Sequence, residues 1–236
     1  MRRFYLNPFS LILIIIFVLL LLFMIPFLFL GIIGGAFTKL GFSWYQAVLI
    51  LFLTLVGSLV NIPVTKVENK GPIVMDRPAP GGMYGRFYNV PDPSFTTTVA
   101  VNVGGCLVPV FVSAYLMYRM MAFPGGFSIL ISALIGVLVV SVVTHRAARP
   151  VRGLGIATPF FIPPACALIC GIVLSWGIPV AAPVIAYVSG TLGTLIGADL
   201  LNLKRLGELG APVASIGGAG TFDGVFLSGI IAALLA

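Results

Sequence analysis

Charge is scarce in this chain. Lys, Arg, Asp and Glu make up 8% of its 236 residues, against 60% for the hydrophobic types. Soluble domains carry about 25% charged residues, so an ordinary water-soluble surface is excluded. Acid is the scarcest charge, with 6 acidic residues against 13 basic ones and a net charge of +7. The basic residues form no dense run and no patch interleaved with aromatics, which argues against a nucleic-acid surface. In membrane proteins such residues gather on the cytoplasmic side. Histidine occurs once, as His145, so no Ser-His-Asp constellation can be assembled within the apolar segments. Cys106, Cys166 and Cys170 are the only cysteines and stand in apolar surroundings. They read as small buried hydrophobes, not as a metal site. The HExxH, Walker A and dinucleotide fingerprints are missing. No metal and no cofactor is expected.

What the chain has is apolar length. Residues 9–37 contain no charge. A signal-peptide core runs about 7–15 residues, so this stretch reads as a retained first helix. Crossing a bilayer takes about 20 apolar residues. Seven segments qualify: 9–37, 43–63, 96–118, 125–144, 156–176, 180–203 and 213–236. The third is interrupted by Asn102, Gly104, Gly105 and Pro109. The expected fold class is an all-α integral membrane protein of about seven transmembrane helices, a single polytopic domain over 1–236. It divides into an N-terminal two-helix hairpin (1–63), a cytoplasmic loop (64–95) and a five-helix core (96–236).

Basic residues orient this scheme. With the N-terminus cytoplasmic, the inner segments hold Arg2, Arg3, Lys66, Lys70, Arg77, Arg86, Arg146, Arg149, Arg152, Lys204 and Arg205, and the outer ones only Lys39 and Arg119. That asymmetry is the kind that sets topology, and it points to a multi-pass protein of the cell membrane.

Residues 64–95 are the one long polar stretch, rich in Pro and Gly, which argues against a continuous helix. Within it, Gly71–Met75 and Met83–Val90 are short runs able to pair as a hairpin. Pro163, Pro164, Pro179 and Pro183 are expected to kink or break helices.

Of the six acidic residues, only Asp199 and Asp223 fall inside predicted spans. A charge at bilayer depth is costly, so such residues are functional candidates. The sixth and seventh helices are joined by a short loop and run antiparallel, which sets both carboxylates in the cytoplasmic half at similar depth. Gly190, Gly193 and Gly197 on one helix, and Gly217, Gly220 and Gly224 on the other, each recur at i, i+3 and i+7. Stripes of small residues let backbones approach closely in lipid. Asn202, one turn from Asp199, is placed to donate a hydrogen bond to it. Two close carboxyls share a proton, and such a pair can activate water while protonating a carbonyl oxygen. It can equally relay protons in a transporter.

The segments HRAARPVRGLGIATPFFIPP (145–164), AYVSGTLGTLIGADLLNL (186–203) and GAPVASIGGAGTFDGVFLSG (210–229) resemble a prokaryotic multi-pass membrane family known only as domain of unknown function 1614. A second, local resemblance is to presenilin-type intramembrane aspartyl proteases, which place one aspartate in each of two consecutive helices. Asp199 and Asp223 match that arrangement. G-T-F-D at 220–223 is similar to the Gly-x-Gly-Asp motif, with Phe222 where the second glycine stands. PPACAL at 163–168 is the nearest analogue of the Pro-Ala-Leu motif, although it precedes both aspartates.

The leading expectation is therefore an intramembrane aspartyl protease with Asp199 and Asp223 as catalytic residues. Asn202, Gly220, Thr221, Phe222, Gly224, Pro163 and Pro164 would surround the substrate or support the pair. Gly190, Gly193, Gly197 and Gly217 would pack the helices. A proton-coupled transporter or channel using the same carboxylates is the alternative, and a non-catalytic scaffold or lipid-binding protein the third reading. Membrane lipids and a transmembrane peptide are the expected partners.

Overall fold

The computed structural model describes residues 8–68, 96–151, 155–208, 213–218 and 224–236. Among these are seven α-helices and five short strands. The helices are α1 (Pro8–Lys39), α2 (Trp44–Gly57), α3 (Val108–Met121), α4 (Gly126–Ala147), α5 (Ile162–Leu174), α6 (Ala181–Thr194) and α7 (Gly224–Leu235). Four stretches are long and apolar enough to cross a membrane: Ile12–Lys39, Val103–Met121, Gly126–Ala147 and Ala181–Arg205. α2, α5 and α7 are shorter apolar helices.

Helix α6 is the axis of the bundle. Every residue of Ala181–Thr194 except Leu192 is buried, with α3, α4, α5 and α7 packed around it. Small residues make that ring close. A Cβ on Gly136 of α4 would lie 2.9 Å from Ser189 Cβ, and one on Gly171 of α5 would lie 2.7 Å from Ala186 Cβ. Helices in lipid associate through such packing, because lipid offers no hydrophobic drive between them. By contrast, most of α1 turns large side chains such as Phe17, Leu20 and Phe23 outward, and only its last turns, from Ile33 to Phe37, enter the core.

The helix ends sort into two groups. At one end Arg119 Nη1 donates to Gly41 O at 2.7 Å, and Lys39 Nζ donates to Leu234 O at 2.6 Å. The opposite end carries the strands. β1 (Asn61–Glu68) follows α2 and pairs antiparallel with β2 (Thr96–Asn102), from Asn61 opposite Asn102 to Glu68 opposite Thr96. β5 (Val213–Ile216) adds in parallel on the far side of β2, giving the order β1-β2-β5. β3 (Arg149–Val151) and β4 (Gly155–Ala157) form a separate hairpin between α4 and α5.

Three expectations change here. The architecture is not purely helical, because the expected third, fifth and seventh spans each open with a strand. β-Branched stretches such as TTTVAV at 96–101 satisfy a hydropathy window, yet their Thr and Val content favours a strand. Gly217 is not a helix-packing glycine. It stands in the turn after β5, seven residues before α7 begins, with φ +82°. Pro163, Pro164 and Pro183 lie in the first turns of α5 and α6, where a missing N–H costs no helical bond, so they start these helices. The expected hairpin of Gly71–Met75 and Met83–Val90 lies outside the described residues.

Candidate functional site

Asp199 sits where α6 stops being a regular helix. Beyond Thr194 the chain winds into a π-turn, Leu195–Asp199, and then a 3₁₀ segment, Leu200–Glu208. π-Turns are rare and are found often at functional sites. Gly197 makes the close approach here, since a Cβ on it would collide with Ser141 O of α4. Asn202 holds the turn from below. Its side-chain amide is buried and donates to Gly197 O and Ala198 O, each at 2.9 Å, while its oxygen accepts from Arg205 Nη1 at 3.2 Å. The expected donation from Asn202 to Asp199 is replaced by these carbonyl bonds. Asn202 positions the turn, and the turn positions the carboxylate.

The Asp199 carboxylate accepts the backbone N–H of Gly217, 2.7 Å from Oδ2. Gly217 follows β5, and the turn is closed by Gly218 N donating to Ser215 O at 3.2 Å. Its left-handed φ favours glycine. A Cβ there would also lie 2.7 Å from Cys106 N and 2.7 Å from Gly105 C. Gly217 is thus wedged between Asp199 and a second irregular turn.

That second turn is Val103–Leu107, a π-turn between β2 and α3. Asn102 builds it. Fully buried, it accepts from Gly105 N at 2.7 Å and donates to Ser58 O at 2.8 Å and Asn61 Oδ1 at 3.1 Å. Ser215 Oγ donates to the same Asn61 oxygen at 2.6 Å. One polar knot therefore joins the end of α2, all three strands of the sheet and the start of α3. Beside it, Cys106, Leu195 and Val225 pack into a small apolar cluster with Ile216 and Val101.

Asp223, Gly220, Thr221 and Phe222 lie outside the described residues. The described chain on either side of them is anchored. On one side Gly217 bonds to Asp199. On the other, Val225 packs in the cluster of Cys106 and Leu195, and Gly224 comes within 3.6 Å of Thr158 Oγ1, measured from the position of a Cβ. Pro163 and Pro164 are buried at the start of α5.

Gly190 and Gly193 of α6 and Gly197 of the π-turn after it divide their contacts. Gly190 faces Ser228 and Gly229 of α7, whereas Gly193 meets Val137 and Val140, and Gly197 meets Ser141 and Thr144, all of α4. The partners on α7 are Ser228 and Gly229, which the glycine spacing did not single out. Ser228 Oγ lies 2.7 Å from Gly190 O and 3.0 Å from Thr194 Oγ1. Asn102 was equally hidden as a site residue, although Asn-Val-Gly-Gly at 102–105 carries the signal of a side-chain cap before small residues.

A family profile described as a protein of unknown function (DUF1614) matches residues 55–235. The chain belongs to this family. The matched region of the DUF1614 chain takes in both π-turns, the sheet and every helix from α3 to α7. No curated protein and no solved structure matches it.

Proposed function

We propose that this DUF1614 chain is an intramembrane aspartyl protease that hydrolyses a membrane-embedded peptide, with Asp199 and Asp223 as its acid–base pair. In this reading all seven helices span the cell membrane, the N-terminus and the sheet lie on the cytoplasmic side, and Asp199 stands near that surface. The observation that carries the proposal is the Gly217 N–H held by the Asp199 carboxylate at 2.7 Å. It fixes the orientation of one carboxylate, and Asp223 follows Gly217 by six residues in the sequence.

The chemistry follows from two carboxyls sharing one proton. The ionised carboxylate takes a proton from water as the water oxygen attacks the peptide carbonyl carbon. The protonated partner gives its proton to the carbonyl oxygen. Collapse of the tetrahedral intermediate breaks the C–N bond, and the leaving nitrogen takes up a proton from the pair.

A second reading, proton-coupled transport through the same carboxylates, draws support from the buried polar face of α6. Tyr187, Thr191 and Thr194 are buried, and the last meets Ser228 of α7. One experiment separates the two. Purified protein in proteoliposomes is given a labelled transmembrane peptide and, separately, a pH gradient. The protease reading expects peptide cleavage that is abolished by Asp199→Asn and by Asp223→Asn. Flux dependent on the gradient without any cleavage replaces it by the transport reading.

A further inference from the structure

α2 and α3 flank an open groove. At the strand end α2 meets the Val103–Leu107 turn that leads into α3, where a Cβ on Gly57 would lie 2.9 Å from Gly104 N. Away from that contact they enclose an open cavity of about 440 Å³. Phe42, Gln46 and Leu53 line one wall, and Leu107, Phe111 and Tyr115 line the other. Gln46 to Leu53 spans about 10 Å of helix, and Leu107 to Tyr115 about 12 Å. A hydrocarbon core about 30 Å thick gives each leaflet about 15 Å. The groove therefore has the depth of one leaflet and is closed at its inner end.

Its outer mouth carries a cation. Arg119 lies one helical turn beyond Tyr115, and its Nη1 donates to Gly41 O, next to Phe42. Guanidinium has five N–H donors, and the bond to Gly41 O engages one of them. Trp44, Tyr45, Tyr118 and Trp176 are exposed at this same end of the bundle. Aromatic residues of this kind mark the water–lipid interface, so Arg119 sits at headgroup level with the groove directly beneath it.

We propose that this groove is a binding site for one phospholipid of the leaflet opposite the sheet, with an acyl chain between α2 and α3 and the phosphate on Arg119. A transmembrane peptide needs a path of about 30 Å, which the Gly57–Gly104 contact blocks. The site rests on the membrane placement of the chain and is independent of the protease reading.

The test uses the full chain in proteoliposomes containing phosphatidylcholine with a photoreactive group on its acyl chain, and maps the cross-links. Labels should concentrate on Leu49–Leu53 and Leu107–Phe111. Leu49→Trp and Leu53→Trp, both at exposed positions, should fill the groove and remove most of this labelling while the chromatographic profile stays unchanged. Arg119→Gln should weaken labelling by the phosphatidylcholine probe roughly tenfold and leave labelling by a diacylglycerol probe, which has no phosphate, as it was. Labels spread evenly over α1, α2 and α4, or unchanged in both Trp variants, would overturn the proposal. So would an equal drop for both probes in Arg119→Gln, or displacement of the lipid by an added transmembrane peptide.

Discussion

The backbone N–H of Gly217 lies 2.7 Å from the Oδ2 of Asp199, joining the turn after β5 to the π-turn that ends α6. Replacing Asp199 separates its structural and chemical roles. Asp199→Asn keeps an oxygen that can accept from Gly217, so thermal unfolding in detergent should stay within a few degrees of wild type. Asp199→Ala leaves that N–H without its acceptor and should cost about 1–3 kcal/mol. Both changes should abolish peptide cleavage.

Gly217 itself should tolerate no side chain. Its φ of +82° and the closeness of Cys106 N predict that Gly217→Ala destabilises by about 1–3 kcal/mol, read as a lower unfolding midpoint. Gly31→Ala on α1 is the control, because a Cβ there meets nothing within 4 Å. It should leave the midpoint unchanged or slightly raised.

Asn102 satisfies three hydrogen bonds in a buried setting. Asn102→Ala should therefore cost at least about 2 kcal/mol. Because Asn102 joins β1, β2 and the Val103–Leu107 π-turn, hydrogen exchange should rise at 96–107 before it rises in α4.

Packing around α6 predicts a graded response. Gly193→Val places its Cβ within 2.6 Å of Val140 Cβ and should cost about 1–3 kcal/mol through overpacking. Gly224→Ala, with its nearest neighbour 3.6 Å away, should be close to neutral. Equal effects at the two positions, measured by unfolding in the same detergent, would contradict the arrangement of α4 against α6.

Much of this fold is legible in the sequence, for reasons that differ by element. α1 and α4 are long apolar runs; the expected 9–37 lies within Pro8–Lys39, and 125–144 starts one residue earlier and ends three earlier than Gly126–Ala147. The strands escape because Val and Thr count as apolar or neutral in a window, whatever their period. TTTVAVN at 96–102 alternates in burial except at Val99 and Ala100, which are both buried. Gly217 was drawn into a helical stripe by its spacing, although Gly217–Gly218 after a short β-branched run also reads as a turn. The π-turn at Leu195–Asp199 has no local signature, and the one at Val103–Leu107 shows only the cap at Asn102. The former arises where Gly197 presses on Ser141 O, a contact between distant parts of the chain. The latter arises where Asn102 captures Gly105 N three residues on and is itself held by Ser58 O and Asn61 Oδ1 from far along the chain. Asp199 stood out as a charge in an apolar span, and that same reasoning singled out Asp223.

In the proposed enzyme Asp199 and Asp223 form one paired site. Its most direct test places Asp199→Cys and Asp223→Cys together in a chain with Cys106, Cys166 and Cys170 replaced by alanine, and adds dibromobimane, which fluoresces when it bridges two thiols. The account predicts an intramolecular bridge in the double variant, and none when Asp223→Cys is combined with Lys39→Cys at the opposite end of the bundle. If both thiols of the 199/223 pair are alkylated singly and no bridge forms, the two carboxylates do not meet, and the account fails.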